Sequence, residues 1–391
     1  MGGVEVKLGY VCQYFTQEYG GPVTSLMHEL SKDVDVVNYS SVGRHMQYHA
    51  GGVHSDLEVR LGDRLTLRRY GVWFGVAGLV YPRNLTGLLS ADRPDVVQSE
   101  EYYQPASHVS FRYARRNNVP FIFNHRGSEV RARSLRERVY FSIANPLSRS
   151  LVRGSDAIVC ISEAGRRVLC GVYPEAEPKV HVIPNSIDPS RYSGADGRSF
   201  RGGHGIPESS PLLLCVARLH RQKRIDLLVR AFAEVKRQSP DSVLCVVGPW
   251  FEAEKRRMDS LVSRLKVDDV LFTGPIPNER VKDAYAAADV VALTSEYEPF
   301  GYCLLEAMCL SKPVVAFGVG AVPEIVEDGR SGFTVHFGDA EAFAGKVVGL
   351  FGDRQMSRRF GLRGRRLVDE KFLLSDNAER LVRLYGGLTG R

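Results

Sequence analysis

Two glutamates stand eight positions apart in the run Glu298-Pro-Phe-Gly-Tyr-Cys-Leu-Leu-Glu306, which carries the strongest chemical signal in the sequence. A strand is predicted to end just before this run, and a helix is predicted to begin near Tyr302. Glu298 would then lie in the loop at the strand's carboxyl end, and Glu306 would lie one turn into the helix. Carboxylates accept hydrogen bonds from sugar or ribose hydroxyls, and the backbone amides of Tyr302 and Cys303 can bind an anion. The alternative is a helix start that carries acids because its dipole favours them.

A second cluster of residues is basic. In Ala217-Arg218-Leu-His-Arg-Gln-Lys223-Arg224, Arg218 follows a predicted strand directly and Lys223 opens a predicted helix. Arg and Lys at such a turn can clamp a diphosphate, one as a planar fork and the other as a point charge. A solvated basic turn would give the same pattern.

Three weaker signals lie at strand ends in the first half of the chain. Gly20 and Gly21 precede a predicted helix and let the backbone approach a phosphate or sugar, although a tight turn also fits. His125 lies just past an apolar strand, where a structural histidine is the alternative, and Asn185 lies in Pro-Asn-Ser-Ile-Asp, where the alternative is an Asx turn. The sequence contains neither a G-x-G-x-x-G fingerprint nor a P-loop, which argues against hydride transfer and NTP hydrolysis.

No metal site is predicted. Asp33 and Asp35 have the D-x-D spacing of a metal-binding motif, but strand alternation places both on one face, and we interpret them as solvated. No cluster of His and Cys has the spacing of a zinc site.

These residues belong to two successive series of alternating strands and helices. Strands of the first series are predicted at 4–12, 34–39, 95–98, 120–124, 157–161 and 180–183, with helices at 22–30 and 105–116. Strands of the second series are predicted at 212–217, 242–247, 270–272, 290–293 and 314–316, with helices at 252–265, 278–287 and 302–310. Ile225, Leu228, Val229, Phe232 and Val235 form the apolar stripe of another helix. Apolar strands separated by helices predict parallel sheets covered on both faces.

The length of 391 residues predicts about two domains. We expect an N-terminal domain at 1–190, a Ser- and Gly-rich linker at 191–210, a second domain at 211–372 and a final helix within 373–391. In the seven cysteines we find no C-x-x-C pair, which indicates reduced thiols and, with no signal peptide or spanning segment, a cytoplasmic protein.

Taken together, these motifs resemble glycosyltransferase family 4, whose hallmark is the E-x7-E run from Glu298 to Glu306. Similar to the family are also Arg218 with Lys223, the Pro-Asn-Ser-Ile-Asp stretch and the segment from Gly318 to Gly332, in which Gly320-Ala321 stands where the family has Gly-Gly. The resemblance implies a GT-B fold of class α/β, in which two doubly wound Rossmann-like domains face each other across a cleft. It also implies that the final helix crosses back onto the first domain.

The resemblance implies roles for individual residues. Glu306 would hold the donor ribose, Glu298 would contact the donor sugar, and Arg218 and Lys223 would neutralise the leaving diphosphate. His125 would lie near the sugar at the reaction centre. The remaining expected donor-binding residues are Gly20, Gly21, Pro277, Phe300, Gly301, Tyr302 and Cys303, and the acceptor-side candidates are Arg126 and Asn185.

The family also implies the reaction. We expect a hexose-type sugar to move from a UDP- or GDP-linked donor to an acceptor hydroxyl, with retention at the anomeric carbon and with no metal or other cofactor required. Front-face attack is favoured, because no carboxylate is an evident nucleophile for double displacement. Cations and amides aimed at the leaving phosphate would lower the barrier.

The acceptor is less constrained. The segment from Arg112 to Arg153 holds ten Arg and two acids, 10 − 2 = +8, while the whole chain nets +7. With Arg64, Arg68, Arg69, Trp73 and Phe74, this segment suggests an anionic membrane surface and a lipid-linked or phosphorylated acceptor. A core-packing helix with a solvated face is the alternative. Three other functions remain open: a nucleotide-sugar epimerase or hydrolase, an inactive sensor, and a nucleic-acid binder, although no nucleic-acid partner is expected.

Overall fold

The computed structural model describes residues 6–13, 15, 22–41, 58–76, 79–127 and 135–391. The chain divides into two compact units, Met1–Ser186 with Leu374–Arg391, and Ile187–Leu373. Residues 191–210, for which the sequence predicts a linker, belong to the second unit. They contain a helix, Gly197–Gly203, whose Asp196 cap accepts a hydrogen bond from the Ser199 amide. The composition of residues 191–210 did not predict this helix, because glycine and serine are weak helix formers.

The first unit is built on an eight-stranded sheet of order β10-β9-β8-β7-β1-β2-β4-β3, parallel except for the β3–β4 hairpin. Its strands are β1 Lys7–Val11, β2 Asp35–Ser41, β3 Glu58–Gly62, β4 Leu65–Tyr70, β7 Val96–Glu100, β8 Phe121–His125, β9 Ala157–Cys160 and β10 Val180–Val182. A separate antiparallel ribbon pairs β5 Val72–Val76 with β6 Leu79–Pro82. Its helices are α1 Pro22–Leu30, α2 Leu85–Asp92, α3 Pro105–Asn117, α4 Leu135–Gly154, α5 Glu163–Val172 and α14 Leu374–Thr389.

The second unit is a six-stranded parallel sheet of order β13-β12-β11-β14-β15-β16. Its strands are β11 Leu212–Val216, β12 Val243–Val247, β13 Val270–Gly274, β14 Val290–Leu293, β15 Val314–Phe317 and β16 Gly332–Val335. Its helices are α6 Gly197–Gly203, α7 Ile225–Gln238, α8 Glu252–Leu265, α9 Val281–Ala287, α10 Tyr302–Cys309, α11 Val322–Ile325, α12 Ala340–Gly352 and α13 Arg354–Lys371. This is the strand order of a doubly wound nucleotide-binding sheet, in which the order reverses between β11 and β14.

The burial of the central strands is that expected of parallel sheets covered by helices on both faces. Every residue of β12 and β14 is buried, so both faces of these strands carry apolar side chains. The predicted stripe of α7, from Ile225 to Val235, is buried in the same core. The order of the strands places the loops after β11 and β14 side by side at the carboxyl edge, where ligands bind in such sheets.

Two further expectations can be compared with the structure. The seven cysteines all lie in described residues, and none of them forms a disulfide. Among the described helices, none is both long enough and apolar enough to span a bilayer.

Candidate active site

In the second unit, the switch point is the place between β11 and β14 where the strand order reverses. The loops after these two strands bring together Lys223 and Glu298, which the sequence assigned to one site. The Lys223 Nζ donates to Glu298 Oε2 at 2.7 Å, and the Ser295 hydroxyl donates to the same oxygen at 2.9 Å. Burial alone would lower the pKa of Lys223, but the adjacent Glu298 charge and its hydrogen bond raise it above the usual range. Lys223 is therefore held as a cation against Glu298.

A close backbone contact fixes the position of the loop that carries Glu298. The Ala321 amide donates to the Glu298 carbonyl at 3.0 Å. Gly320, at φ +55°, approaches so closely that a Cβ there would lie 2.1 Å from the Glu298 oxygen. Only glycine combines this left-handed conformation with such an approach. Gly320 therefore positions the Glu298 backbone.

Glu306, the second glutamate of the run, is held by two tyrosines. Tyr192 donates to Oε1 at 2.9 Å, and Tyr285 donates to Oε2 at 2.6 Å. Burial raises the pKa of Glu306 above its ordinary value, while the two hydroxyl donors act in the opposite direction. A carboxylate has about four acceptor positions, so each oxygen keeps one lone pair for a further donor.

The residues between the two glutamates include the N-terminal cap and the first turn of α10. Gly301 is the N-cap residue and has φ +99°, a conformation that favours glycine. Tyr302 and Cys303 follow in the first turn, where backbone amides lack intrahelical acceptors. The Phe300 ring, in contrast, is buried edge-on against Phe372, with ring centroids 6.0 Å apart. Its side chain therefore supports the loop from inside the unit.

The other expected donor-side residues lie at the surface of the unit or outside the described part of the chain. Arg218 lies two residues beyond the end of β11 and is exposed, and Pro277 is exposed just beyond β13. Gly20 and Gly21 lie outside the described residues, so their predicted role stays a prediction.

In the first unit, His125 ends strand β8 and is completely buried. Its Nδ1 lies 3.2 Å from Glu101 Oε2, and Glu101 directly follows the adjacent strand β7. An ionised carboxylate only accepts hydrogen bonds, so Nδ1 carries the hydrogen and a neutral ring presents Nε2 as an acceptor. Nε2 is buried and has no hydrogen-bond partner among the described residues.

Arg126, the residue after His125, is fixed by two acids. Its backbone amide donates to Glu101 Oε1 at 3.1 Å, and its Nη1 donates to Glu100 Oε1 at 2.8 Å. Tyr10 donates to the same Glu100 oxygen at 2.8 Å. Burial would lower the pKa of Arg126, but the charge of Glu100 keeps it raised. Its positive charge is thus partly balanced by Glu100.

The two acceptor-side candidates, Arg126 and Asn185, line one pocket of the first unit, between the sheet and helices α1 and α14. Gln98 and Asn124 also line it, and Gln98 Nε2 and Asn124 Oδ1 are buried without a partner among the described residues. The Tyr385 hydroxyl of α14 donates to Gln98 Oε1 at 2.7 Å. The pocket therefore offers several polar groups.

Sequence reasoning missed several residues that build these sites, including Ser295 and Glu100. Glu101 and Tyr285 gave no motif signal, since one is the second of two adjacent acids after a strand and the other lies among alanines in a short helix. Tyr192 follows shortly after the Pro-Asn-Ser-Ile-Asp stretch, which could have directed attention to it. Gln98 was assigned to a predicted strand but not to a site.

The comparisons with known proteins agree with this arrangement. A family model described as Glycosyltransferase Family 4 matches residues 23–191, and one described as Glycosyl transferases group 1 matches residues 196–367. The alpha-maltose-1-phosphate synthase of Mycolicibacterium smegmatis is 30% identical over 260 residues, which are 63% of this chain and 66% of that protein. The D-inositol 3-phosphate glycosyltransferase of Nocardia farcinica is 31% identical over 281 residues, 69% of this chain and 61% of that protein.

The matched region thus spans slightly less than two thirds of the length of these relatives. Among solved structures, Anabaena HepE in complex with UDP has a TM-score of 0.77 at 18% identity, covering 97% of this chain and 100% of that chain. This likeness shows a common fold.

Two α/β units with parallel sheets, the second of nucleotide-binding topology with paired glutamates at its switch point, define a GT-B protein. With both family models matched in order along the chain, this protein belongs to the family 4 glycosyltransferases. The resemblance predicted from the E-x7-E run is confirmed.

Proposed function

We propose that the protein is a retaining glycosyltransferase that moves a hexose-type sugar from a UDP- or GDP-linked donor to an acceptor hydroxyl. The observation that carries this proposal is the pairing of Lys223 with Glu298, beside the tyrosine-held Glu306, at the switch point of the second unit. The printed names of the two relatives describe a synthase of a sugar phosphate and a glycosyltransferase of a phosphorylated polyol. The HepE structure contains UDP.

In the proposed donor complex, Glu306 accepts hydrogen bonds from the ribose hydroxyls. Its two tyrosine donors fix the carboxylate plane and leave one lone pair on each oxygen, which suits a pair of neighbouring hydroxyls. Glu298 lies near the start of α10 and would contact hydroxyls of the transferred sugar. Lys223 and Ser295 keep its carboxylate in one orientation.

The leaving diphosphate needs positive charge. We assign this stabilisation to Arg218, which is exposed, to Lys223, and to the amides at the start of α10. Removing one preorganised donor of this kind typically costs about 2.7–4 kcal/mol of barrier lowering. Protein cations and amides can supply this charge, so we propose that the reaction needs no metal.

Retention follows in this proposal from front-face attack. The departing phosphate oxygen takes the proton of the acceptor hydroxyl as the new glycosidic bond forms and the bond to the diphosphate breaks. The Nε2 of His125 is buried without a partner among the described residues, which suits a hydrogen bond with a donor-sugar hydroxyl. Arg126 and Asn185 supply a cation and an amide on the acceptor side, and we propose a lipid-linked or phosphorylated acceptor presented at a membrane surface.

Thermal unfolding with UDP, GDP, ADP and their common sugar conjugates, all with EDTA present, tests the donor assignment. A nucleotide at 100 times its dissociation constant adds about 2.7 kcal/mol to the stability of the folded protein. We expect one base to raise the midpoint in the wild type and not in Glu306→Ala. The matched control is Glu341→Ala, an exposed acid at the start of α12, which should keep the shift.

Several outcomes contradict parts of the proposal. Absence of a shift with every nucleotide would remove the donor assignment, and a shift that requires added Mg²⁺ would remove metal independence. The anomeric configuration of the product, read by NMR coupling constants, tests retention separately. A product formed without any acceptor would identify the reaction as epimerisation or hydrolysis instead.

A further inference from the structure

Three large aromatic side chains are exposed on the β5–β6 ribbon of the first unit. Trp73 is 66% exposed, Phe74 is 56% exposed and Tyr81 is 39% exposed. Only three other large hydrophobic side chains in the described part of the chain are comparably exposed, namely Leu147, Phe251 and Leu362, and these are scattered. Single exposed hydrophobic residues are ordinary, but a cluster of them marks an interaction surface.

The backbone of the ribbon explains why consecutive aromatic residues both face outward. The pairing of β5 with β6 shifts register between Val72 and Phe74, so an extra residue, Trp73, is inserted opposite β6. Such a bulge re-aims side chains. Phe74 and Tyr81 then stack with ring centroids 4.5 Å apart, and the Arg83 guanidinium lies 5.2 Å from the centroid of the Trp73 ring.

The opposite face of the ribbon packs against the core of the first unit. The aromatic side chains are therefore on the solvent-facing side of a ribbon that is already packed. Val80 is buried in the core of the unit, and Val72 packs against the same core. At the base of the ribbon, the Arg83 amide donates to the Gly71 carbonyl at 2.8 Å, and the Gly71 amide donates to Asn84 Oδ1 at 2.7 Å. The position of the outer, aromatic face is therefore fixed by the packing and the hydrogen bonds of the ribbon.

Charge distinguishes this surface from an ordinary protein contact. Residues 71–81 contain no charged side chain, and residues 64–91 contain four arginines and no acid. Arg64 and Arg68 are paired with acids, whereas the exposed Arg83 stacks on Trp73. Aromatic rings combined with arginine are typical of the interface of an anionic bilayer, where rings enter the headgroup layer and cations meet phosphate.

The Arg-rich helix α4 fits this role less well in its described part. Arg149 and Arg153 both pair with Glu175, at 2.7 Å and 3.1 Å. Leu151 and Val152 are fully buried. This half of α4 is thus a packing helix, the alternative that its sequence left open.

We propose that the β5–β6 ribbon is a membrane-contact surface that inserts Trp73, Phe74 and Tyr81 into the interface of an anionic bilayer. The proposal deepens the membrane-presented acceptor of the proposed function and rests on it for its purpose. Its test measures binding alone, so it can fail while glycosyl transfer to a soluble acceptor succeeds, and the reverse also holds.

The chain has two tryptophans, which permits a direct optical test. In a Trp250→Phe background, Trp73 is the single reporter. We expect vesicles of equal phosphatidylcholine and phosphatidylglycerol to shift its emission to the blue, with quenching by brominated lipid, and pure phosphatidylcholine to have a much weaker effect. Unchanged emission with anionic vesicles at low salt would overturn the proposal.

Vesicle sedimentation of variants tests the surface. Trp73→Ser and Phe74→Ser should each lower the partition coefficient roughly ten-fold, because each removes one aromatic side chain from the apolar phase. Leu147→Ser, at the same 66% exposure as Trp73, is the matched control and should bind as the wild type does. If the serine variants instead abolish a concentration-dependent self-association and leave vesicle binding unchanged, the ribbon is a protein interface and the proposal is wrong.

Discussion

Lys223 and Glu298 lie 75 positions apart in the sequence, yet they form a largely buried ion pair, with Nζ and Oε2 separated by 2.7 Å. The motif analysis assigned them to different parts of the donor, the lysine to the diphosphate and the glutamate to the sugar. Their pairing means that neither charge acts alone. A change at one position also alters the electrostatics and the orientation of the other.

The ion pair can be tested by a double-mutant cycle. Lys223→Met should destabilise the protein by about 3 kcal/mol, because it leaves Glu298 buried without its cation. Glu298→Gln should also destabilise, and the double variant should lose less than the sum of the two. Chemical unfolding of the four proteins measures this coupling energy. Strict additivity would show that the pair contributes no coupling.

Gly320 is expected to be intolerant of a side chain. Gly320→Ala should cost about 3 kcal/mol or more, because the methyl group would require the Glu298 loop to move in addition to straining φ. Gly329→Ala is a matched control, since Gly329 has φ +70° but no atom within 4 Å of an added Cβ. Its cost should be only about 1–2 kcal/mol, the left-handed conformational term. Thermal unfolding compares the two, and equal losses would argue against the contact.

Glu306 should give stability a characteristic pH dependence. Burial raises its pKa in the folded protein, so the folded state retains a proton that the unfolded state has already lost. The stability that this protonation contributes is fully present below the pKa of Glu306 in the unfolded state. It is lost as the pH rises through the pKa of Glu306 in the folded state. Relative to wild type, Glu306→Gln should therefore become more stable as the pH rises through that interval. Unfolding free energies measured across this interval test the sign, and the reverse trend would contradict it.

Glu101 should act on the reaction through His125. Glu101→Gln replaces an obligate acceptor by an amide that can also donate, so the hydrogen on Nδ1 is no longer enforced. Carboxylates that orient a functional histidine in metal sites contribute on the order of 10–100-fold, and we expect a loss of kcat in this range with little change in the donor KM.

The nitrogen chemical shifts of His125 provide an independent reading of the same change. They should show a change of tautomer in Glu101→Gln, while the melting temperature stays near that of the wild type. A purely structural role for Glu101 would lower the melting temperature and leave the tautomer unchanged.

Much of the fold followed from the sequence because parallel strands buried on both faces are continuous apolar runs. The strand at 290–293 and the helices at 22–30 and 252–265 were predicted with the bounds that the structure shows. Strands β3, β4, β5, β6 and β16 were missed. Arginine or glycine interrupts the apolar pattern of β3, β4 and β5, and β6 and β16 are only four residues long.

The composition of the candidate site was less predictable than its location. The spacing of Glu298 and Glu306 placed the first in the loop before α10 and the second one turn into it, where the structure has them. The tyrosines that hold Glu306 come from two other segments, and Glu101 reaches His125 only because β7 and β8 are neighbours in the sheet. Contacts between distant segments leave no periodic trace in a single sequence.

The division of the chain has a consequence for how the protein is made. The second unit is a contiguous insertion in the first, and its two ends adjoin, with Ile187 pairing with Leu373. The first unit contains both the amino-terminal strands and helix α14, whose Tyr385 hydrogen-bonds to Gln98. During synthesis, the second unit can therefore fold as soon as it emerges from the ribosome. The first unit, although begun earlier, stays incomplete until helix α14 has been translated.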